Sequence, residues 1–313
     1  MKILVTGGAG FIGSNFVTRT MSTKVGIEVA VLDSLTYAGS LENLERQVDA
    51  SKFIEGDIRD AALVDDLIAK CDLVVNFAAE SHNDNSLVGP DIFFETNVMG
   101  LLNIANSCVR HDVRLHHVST DEVFGDLALD SVQSFDLETP YNPSSPYSAS
   151  KAAGDHLVRA WIRSFGLRAT ISNCSNNYGP KQHWEKLIPS TIRSVLRGEK
   201  AKVYGSGLNV RDWIHVDDHI DGIWLAIDRG AVGSTYLFGA RNTCSNLEIV
   251  SSILKEFDLG DDSIEFVQDR PGHDLKYAID PSFSERELGW VTKRGDVLQE
   301  LSALIPWYAE KLS

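Results

Sequence analysis

Short apolar runs alternate with segments of helical periodicity through the first half of the chain. The runs predicted to be strands are residues 2–6, 28–33, 52–57, 72–78, 114–119 and 168–173. The segments between them place apolar residues three and four positions apart, as amphipathic helices do; the clearest are residues 11–21, 61–70, 93–110 and 147–165. Continuous apolar strands separated by helices are typical of a parallel sheet covered on both faces. We therefore predict an α/β protein with a Rossmann-type doubly wound parallel sheet.

The pattern changes near residue 176. Glycine and proline are frequent from residue 176 to residue 207, and the strict alternation of strand and helix ends there. We predict one domain over residues 1–175 and a smaller α/β C-terminal lobe formed mainly by residues 176–313. Some later segments are expected to return to the main sheet.

The charge balance limits the classes of partner. The chain has 29 basic and 44 acidic residues, a net charge of −15. This balance argues against a surface that binds nucleic acid or an anionic membrane. Any site for an anionic ligand must therefore gather its own local cations.

Cysteine usage and hydropathy bear on the compartment. The four cysteines, Cys71, Cys108, Cys174 and Cys244, are far apart and form no CxxC pair, which is typical of a reduced, cytoplasmic protein. Residues 2–6 run directly into glycines, so we expect a first strand there rather than a signal peptide. No apolar run approaches the ~18 residues that a transmembrane helix needs. We expect a cytoplasmic protein without a membrane span or a metal site.

The first predicted strand ends in the turn TGGAGFIG, whose glycines Gly7, Gly10 and Gly13 have a GxxGxxG spacing. Such a turn lets the backbone approach a pyrophosphate, and the following helix offers free N–H groups at its N-terminus. A glycine turn alone is weak evidence, but this one lies between a strand and a helix. Asp33 ends the second predicted strand, where a carboxylate accepts hydrogen bonds from a ribose diol and repels a 2′-phosphate. The pattern therefore predicts NAD rather than NADP.

Two further strand ends fit the same cofactor. Asp57 and Ile58 follow the third predicted strand and are placed to reach the adenine. Ala78 and Ala79 follow the fourth, where small side chains let a cofactor lie close to the strand ends.

Tyr147 and Lys151 are four residues apart at the start of a predicted helix, in SSPYSASKAAGDH. A tyrosine is a poor base at neutral pH. A lysine one turn away, together with the nicotinamide cation, is expected to stabilise the phenolate and lower the pKa of Tyr147. Such a tyrosine takes a proton from a substrate hydroxyl while hydride leaves the carbon. A lone YxxxK is usually only a solvent-facing pair, but here it accompanies a dinucleotide turn.

Asp121 and Glu122 stand side by side after the fifth predicted strand, in VSTDEVFGD. Two adjacent like charges are unfavourable unless they have a use. From the residues alone they cap a helix or perform acid–base chemistry, and both interpretations remain open.

Taken together, these motifs resemble the extended short-chain dehydrogenase/reductase family and, within its nucleotide-sugar branch, the dTDP-glucose 4,6-dehydratases. The resemblance runs almost end to end, through TGGAGFIGSNF, AAESH, ETNVMG, STDEVFGD, PYSASKAAGDH, NCSNNYGP, EKLIP, VYGSG, RDWIHVDDH, NLEIV and DRPGHDLKYAID. Its specific part is TDE combined with YSASK. Sugar epimerases of the family share the glycine turn and the Tyr/Lys pair but usually lack the Asp-Glu after the threonine.

The resemblance implies an NAD-dependent lyase that removes water from a nucleotide sugar, with dTDP-glucose as the expected substrate. It implies that Asp121 is the acid to the C6 oxygen and Glu122 the base at C5. Thr120 is expected to hydrogen-bond the C4 oxygen alongside Tyr147. The alternatives are a 4,6-dehydratase for another nucleotide sugar, a nucleotide-sugar 4-epimerase, and a non-catalytic NAD-binding regulator.

The resemblance also implies two binding sets. The residues expected to hold NAD are Gly7, Gly10, Phe11, Ile12, Gly13, Asp33, Thr36, Asp57, Ile58, Ala78, Ala79, Ser81, Thr96, Tyr147, Lys151 and Asn177. The residues expected to hold the nucleotide sugar are Ser81, His82, Thr120, Asn176, Lys186, Leu187, Tyr204, Arg211, Asn246, Arg270 and His273.

The chain departs from the family pattern in two places. Asn83-Asp84-Asn85-Ser86 follows AAESH where Val-Asp-Arg-Ser is common, and Phe124 stands where tyrosine is usual. The missing arginine puts a local ion pair in doubt. The resemblance further implies a homodimer, in which helices 93–110 and 147–165 of each subunit form a four-helix bundle.

Overall fold

A computed structural model describes residues 1–47 and 52–312 of the chain. The strands are β1 (Lys2–Thr6), β2 (Glu28–Asp33), β3 (Phe53–Glu55), β4 (Leu73–Asn76), β5 (Arg114–Thr120), β6 (Ala169–Cys174), β7 (Asn176–Tyr178), β8 (Ala201–Tyr204), β9 (Val210–His215), β10 (Thr235–Phe238), β11 (Thr243–Ser245) and β12 (Ile264–Val267). Seven of them form a parallel sheet in the order β10-β6-β5-β4-β1-β2-β3. The predicted Rossmann-type sheet is confirmed.

Some of the helices cover both faces of this sheet, and others pack in the second lobe. They are α1 (Phe11–Thr23), α2 (Ala61–Ile68), α3 (Asn83–Val88), α4 (Asp91–Phe94), α5 (Leu101–His111), α6 (Pro146–Phe165), α7 (Leu187–Leu196), α8 (Val216–Arg229), α9 (Asn246–Lys255), α10 (Ser282–Leu288) and α11 (Val297–Leu312). Phe16 of α1 and Ile223 of α8 pack on one face. Val64 of α2, Ile104 of α5 and Val158 of α6 pack on the other. Apolar residues on both faces explain why the strands lack a polar side.

The strand order places a crevice at the middle of the sheet. β1 lies between β2 and β4, so the chain leaves β1 toward one edge and later returns on its other side. In open α/β sheets ligands bind at such a reversal, beyond the carboxyl ends of the strands. The loops that follow β1, β2, β4 and β5 meet there.

The helix predicted at residues 93–110 is interrupted. A π-helical segment, Glu95–Gly100, separates α4 from α5. Asn97 in this segment donates to the Glu80 carbonyl (3.0 Å) and to Ser150 Oγ (2.8 Å), and accepts from the Glu80 N–H (2.8 Å). These contacts tie the widened turn to the loop after β4 and to α6, and periodicity carries no sign of them. Local π-helical turns are frequent at functional sites.

Two predicted strands are shorter than expected. The strand predicted at 52–57 is Phe53–Glu55, at the edge of the sheet. The strand predicted at 72–78 is Leu73–Asn76, because Phe77 and Ala78 leave the sheet and line a cleft.

The second lobe contains two small sheets, β11-β9-β7 and β12-β8. Tyr178, Ile192, Trp213, Ile249 and Leu301 form its core. β10 lies beyond residue 176 and pairs with β6 in the main sheet. The boundary near residue 176 stays a prediction. Within the described residues, no helix combines the length and apolarity that a membrane crossing requires.

Candidate active site

The glycine turn packs closely against the strand end beside it. Gly7 has φ +70°, and a Cβ there would lie 2.5 Å from the Ala78 nitrogen. A Cβ on Gly13 would lie 2.3 Å from the Gly7 carbonyl oxygen. α1 begins after Gly10 without a side-chain cap and without an acidic residue in its first turn. Its free N–H groups and positive dipole end therefore suit an anion such as a pyrophosphate.

Asp33 stands at the end of β2 beside this turn. Its Oδ2 accepts from the Ala9 N–H (2.8 Å) and its Oδ1 from the Leu35 N–H (2.9 Å). Burial raises the pKa of Asp33, and the two backbone donors act in the opposite direction. The carboxylate is thus fixed in orientation, and its remaining lone pairs suit a ribose diol.

One cleft of about 480 Å³ collects most of the predicted site. Its size falls within the range of about 300–1,000 Å³ that is usual for small-molecule sites. All residues predicted to hold NAD contribute to its wall, as do Thr120, Asp121, Glu122, Tyr147 and Lys151. Their roles stay predictions, but they share one concave surface.

Tyr147 and Lys151 lie one turn apart on α6, whose N-cap Ser145 forms a capping box with Ser148. Lys151 is 5% exposed, and its Nζ donates to the Val118 carbonyl (2.8 Å). Burial and then Glu122 raise the pKa of Tyr147 well above its usual value, against a hydrogen bond from Thr120. Burial lowers the pKa of Lys151. The expected lowering of the Tyr147 pKa is therefore wrong for the protein alone, because enclosure and neighbouring carboxylates dominate.

Asp121 and Glu122 occupy different environments. Asp121 is 2% exposed, and its Oδ2 has no hydrogen-bond partner among the described residues. Burial, then Glu122 and Asp212, raise the pKa of Asp121 well above its usual value, which favours the protonated acid. Glu122 is partly buried, and its Oε2 accepts from Asn83 Nδ2 (2.8 Å). Neither carboxyl group belongs to an N-cap residue. The N-cap of the 3₁₀ turn that contains both is Thr120, which makes no side-chain cap bond.

The sharp turn after this pair requires glycine. Gly125 has φ +87°, and a Cβ there would lie 2.3 Å from the Asn142 carbonyl oxygen. Phe124 is buried against Phe135 and Tyr141. The departure from tyrosine at Phe124 therefore leaves an apolar side chain in an aromatic cluster.

A buried polar network supports Lys151 from behind. Asp155, one turn further along α6, accepts from Tyr141 Oη (2.7 Å) and Asn173 Nδ2 (2.9 Å) and lies 3.5 Å from His117 Nε2. Although burial acts to raise it, hydrogen bonding from His117 holds the pKa of Asp155 below its usual value. A buried anion here helps to keep the ammonium of Lys151 charged.

Three predicted substrate residues form a group with Asp84 at the edge of the second lobe. Arg270 Nη1 and Tyr204 Oη lie 3.3 and 3.2 Å from opposite oxygens of Asp84. Burial, and then Arg270, lower the pKa of His273, which also pairs with Asp269. Arg270 is thus paired with Asp84, and His273 with Asp269.

Arg211 lies near this group and is held firmly. It is 4% exposed, donates to the carbonyls of Val210 (2.8 Å) and Asp274 (2.9 Å), and stacks 4.2 Å from the Tyr277 ring centroid. Arg211 also adds to the lowering of the His273 pKa. It lies outside the wall of the 480 Å³ cleft.

The other predicted substrate residues divide into two groups. Ser81, Asn176 and Lys186 line the cleft, and Lys186 Nζ donates to the Ser81 carbonyl (3.2 Å). The residues outside its wall are His82, Leu187, Tyr204, Arg211, Asn246, Arg270 and His273. Leu187 packs on the second-lobe core, and Asn246 begins α9.

Sequence reasoning missed several residues of the cleft mouth. Glu185 lies 3.6 Å from His82 and 3.5 Å from His183. The ring of Tyr37 meets the edges of both histidines, and burial with Glu185 raises the pKa of Tyr37 to about 12. Glu185 is the first residue of EKLIP, so that motif could have indicated it. Tyr37 lies in a loop whose pattern gave no signal.

Known proteins are similar to this chain over nearly its whole length. The sequence matches the model of the GDP-mannose 4,6 dehydratase family over residues 4–297. A dTDP-glucose 4,6-dehydratase of Mycolicibacterium smegmatis is 55% identical over 98% of this chain and 93% of its own. The chain belongs to the dTDP-glucose 4,6-dehydratase family. The shared stretch spans both lobes, so the family assignment applies to the second lobe as well.

Solved structures agree with this family. The Streptomyces venezuelae dTDP-glucose 4,6-dehydratase DesIV, crystallised with NAD and TYD bound, has a TM-score of 0.95 and 43% identity over 99% of this chain and 97% of its own. A UDP-glucose 4-epimerase of Thermotoga maritima, crystallised with UDP-glucose, reaches a TM-score of 0.92 at 26% identity, with full coverage of both chains. The fold is common to both activities, so the dehydratase family is distinguished by sequence identity.

Proposed function

We propose that this protein is an NAD-dependent hydro-lyase that converts dTDP-glucose to dTDP-4-keto-6-deoxyglucose and water. The observation that carries the proposal is the pair at the end of β5. Asp121 is enclosed and biased toward its protonated form, while Glu122 beside it is partly exposed to the cleft. One acid and one base next to a tyrosine are what removal of water across C5 and C6 requires.

The cleft fits NAD on the evidence of its own residues. The close-packed turn at Gly7 and Gly13, the uncapped start of α1 and the oriented carboxylate of Asp33 suit a pyrophosphate and a ribose diol. NAD, when bound, accepts hydride from C4 of the sugar and returns it to C6. The dehydratase and epimerase structures crystallised with NAD support the same cofactor here.

The first half of the reaction depends on Tyr147. Its phenol oxygen takes the proton of the C4 hydroxyl as the C4 ketone forms, and Lys151 stabilises the phenolate that this requires. The Thr120 hydroxyl hydrogen-bonds Tyr147 and is placed to orient the C4 oxygen. The Asp155 network keeps charge on Lys151 in a site where burial opposes it.

The second half depends on the carboxyl pair. The C4 ketone acidifies the C5 proton, which Glu122 removes. Asp121 gives its proton to the C6 hydroxyl, the C6–O bond breaks, and water leaves. A C5–C6 alkene remains. Glu122 then returns a proton to C5 as C6 is reduced, so the net change in the sugar is the loss of one water. An epimerase has no use for this acid and base, which favours the dehydratase.

The nucleotide diphosphate is proposed to lie toward the second lobe. Arg211 and Arg270 supply two guanidinium groups there, with His273 beside them, and arginine suits phosphate oxygens well. Lys186, whose Nζ donates to the Ser81 carbonyl, adds a cation at the wall of the catalytic cleft.

The function is tested by incubating the purified protein with dTDP-glucose, UDP-glucose and GDP-mannose separately. We expect dTDP-glucose to react fastest and to give a product that lacks one water, with the NMR signature of a C6 methyl group and a C4 ketone. A C4 epimer of unchanged mass would instead indicate the epimerase, and faster turnover of another nucleotide sugar would overturn the substrate assignment.

Cofactor choice provides a second test. Replacing Asp33 with alanine is expected to weaken NAD binding by roughly 10-fold or more, because the carboxylate contributes charge-assisted hydrogen bonds to the ribose diol. NADP affinity is expected to change much less. Calorimetric titration of both cofactors measures this, and equal affinity of the unaltered protein for NAD and NADP would contradict the role of Asp33.

We further propose a homodimer, formed through α5, α6 and the helical segments that precede α5. Phe94 at the end of α4 (42% exposed), Met99 in the π-helical segment (55%) and Phe165 at the end of α6 (58%) leave apolar surface exposed, although Leu101 and Val158 cover the subunit's own sheet. Substituting both Phe94 and Met99 with aspartate is expected to convert a dimer to a 34.5 kDa monomer. Sedimentation at micromolar concentration measures the change, with Phe266→Asp, an equally exposed residue of β12, as control. A monomeric unaltered protein would contradict the dimer.

A further inference from the structure

Asn83 connects the candidate base to the helix that carries Tyr147. It is the first residue of α3, and its side-chain amide contacts two other elements. Nδ2 donates to Glu122 Oε2 (2.8 Å), and Oδ1 accepts from Ser145 Oγ (2.8 Å). A carboxylate only accepts hydrogen bonds, so the nitrogen must face Glu122 and the oxygen Ser145. The orientation of the amide is therefore fixed by its partners.

Unlike Asn83, the titratable groups around the Glu122 carboxylate do not stabilise its negative charge. The titratable side chains that face it are Asp121 on its own turn, Tyr147 on α6 and Tyr277 on the chain before α10. Burial is the largest cause of the raised pKa of each, and the nearby Glu122 is the second. Among the described residues no cation forms an ion pair with Glu122, and its Oε1 accepts no hydrogen bond. Asn83 is therefore the contact that holds one oxygen of the carboxylate and leaves the other for a ligand.

The side chain of Asn83 has little part in helix capping. Ser145 and Ser148 complete the cap of α6 by themselves. Within α3, Ser86 Oγ donates to the Asn83 backbone carbonyl, which any residue provides. The amide is thus available for a role at the site. Asn83 is also one of the departures noted in the sequence, at a position where the resembling enzymes commonly have valine.

We propose that Asn83 is a positioning residue for the dehydration half of the reaction, which orients the Glu122 carboxylate toward C5 and fixes its distance from Tyr147. The inference rests on the proposed role of Glu122 as base. It places no demand on the C4 oxidation step, because the hydrogen bonds of the Asn83 side chain go to Glu122 and Ser145 rather than to Tyr147 or Lys151, and Asn83 is not a lining residue of the cleft.

Two substitutions separate the contacts of Asn83. Asn83→Leu has nearly the same size and removes both hydrogen bonds. Asn83→Asp keeps an oxygen acceptor for Ser145 but replaces the donor to Glu122 with a second carboxylate. Asn85→Leu is the matched control, because it is the same substitution in the same helix at a position where the side chain is exposed. All variants are studied as full chains loaded with NAD.

Three quantities distinguish positioning from general damage: C4 oxidation in a single turnover, exchange of the C5 proton with deuterated solvent, and KM. In Asn83→Leu we expect C5 exchange and product formation to fall roughly 10-fold, with C4 oxidation and KM nearly unchanged. Asn83→Asp is expected to lose more. The acidic limb of its pH–rate profile is expected to move to higher pH, because two close carboxylates retain a shared proton. Asn85→Leu should match the unaltered enzyme.

An equal decrease of oxidation and exchange, or no decrease of either, would overturn the role of Asn83. The unaltered enzyme separates this outcome from failure of the proposed function. If it forms the dehydrated product while Asn83→Leu shows an unchanged ratio of exchange to oxidation, only the inference about Asn83 is wrong. If the unaltered enzyme forms no such product, the proposed function is wrong, and the inference falls with it.

Discussion

Replacing Glu122 with glutamine is expected to stop the reaction after C4 oxidation. Glutamine keeps the size of the side chain but cannot take the C5 proton, and loss of a positioned base typically costs on the order of 10²–10⁴-fold. Solvent deuterium should not enter C5. The absorbance of bound reduced nicotinamide should rise and persist, because nothing consumes the oxidised sugar.

Asp121→Asn is the paired control for this experiment. It removes the acid but leaves the base, so C5 exchange should survive at least in part while departure of the C6 hydroxyl slows. Burial raises the pKa of Asp121, and the acid must be protonated to act. Dehydration should therefore decline as pH rises through that raised pKa. If both carboxylate variants dehydrate at a near-normal rate, the pair has no role in elimination.

Replacing Tyr147 with phenylalanine is expected to block both halves of the reaction. The substitution removes only the hydroxyl, in a side chain that is 8% exposed, so the fold should be retained. Without the phenol oxygen no group takes the C4 hydroxyl proton, and turnover should fall on the order of 10²–10⁴-fold. Single-turnover absorbance should show little reduced nicotinamide, in contrast to Glu122→Gln.

Binding of substrate and NAD to Tyr147→Phe provides the check on this interpretation. Calorimetry should give affinities close to those of the unaltered protein, because the substitution removes one hydroxyl and leaves the other lining residues of the cleft in place. A variant that oxidises C4 at a normal rate would show that another group accepts the proton, and Tyr147 would lose its assigned role.

The main sheet could be predicted from sequence because buried parallel strands are continuous apolar runs with a distinct period. The glycine turn and Asp33 could also be predicted because they lie at strand ends, and the Tyr147/Lys151 pair because it has helical spacing at the start of a predicted helix. The π-helical segment Glu95–Gly100 could not be predicted. It depends on contacts of Asn97 with Glu80 and Ser150, which are distant in sequence.

The pKa shifts at the site were harder to predict than the identity of the residues that form it. The pattern placed Lys151 beside Tyr147 correctly, but the direction of the Tyr147 pKa depends on enclosure and on the orientation of Glu122. The contact between Asn83 and Glu122 joins residues 39 positions apart, and no local pattern indicates it. Three-dimensional packing decides such features, and hydrophobic periodicity carries no information about them.

The central claim is that one enzyme oxidises C4, removes water across C5 and C6, and returns the same hydride to C6. It is tested most directly with dTDP-glucose that carries deuterium at C4, in ordinary water and with only the NAD bound to the protein. We expect the deuterium at C6 of a 4-keto-6-deoxy product, without a requirement for added reductant. Deuterium retained at C4 of an epimer, or lost to solvent during turnover, would contradict it.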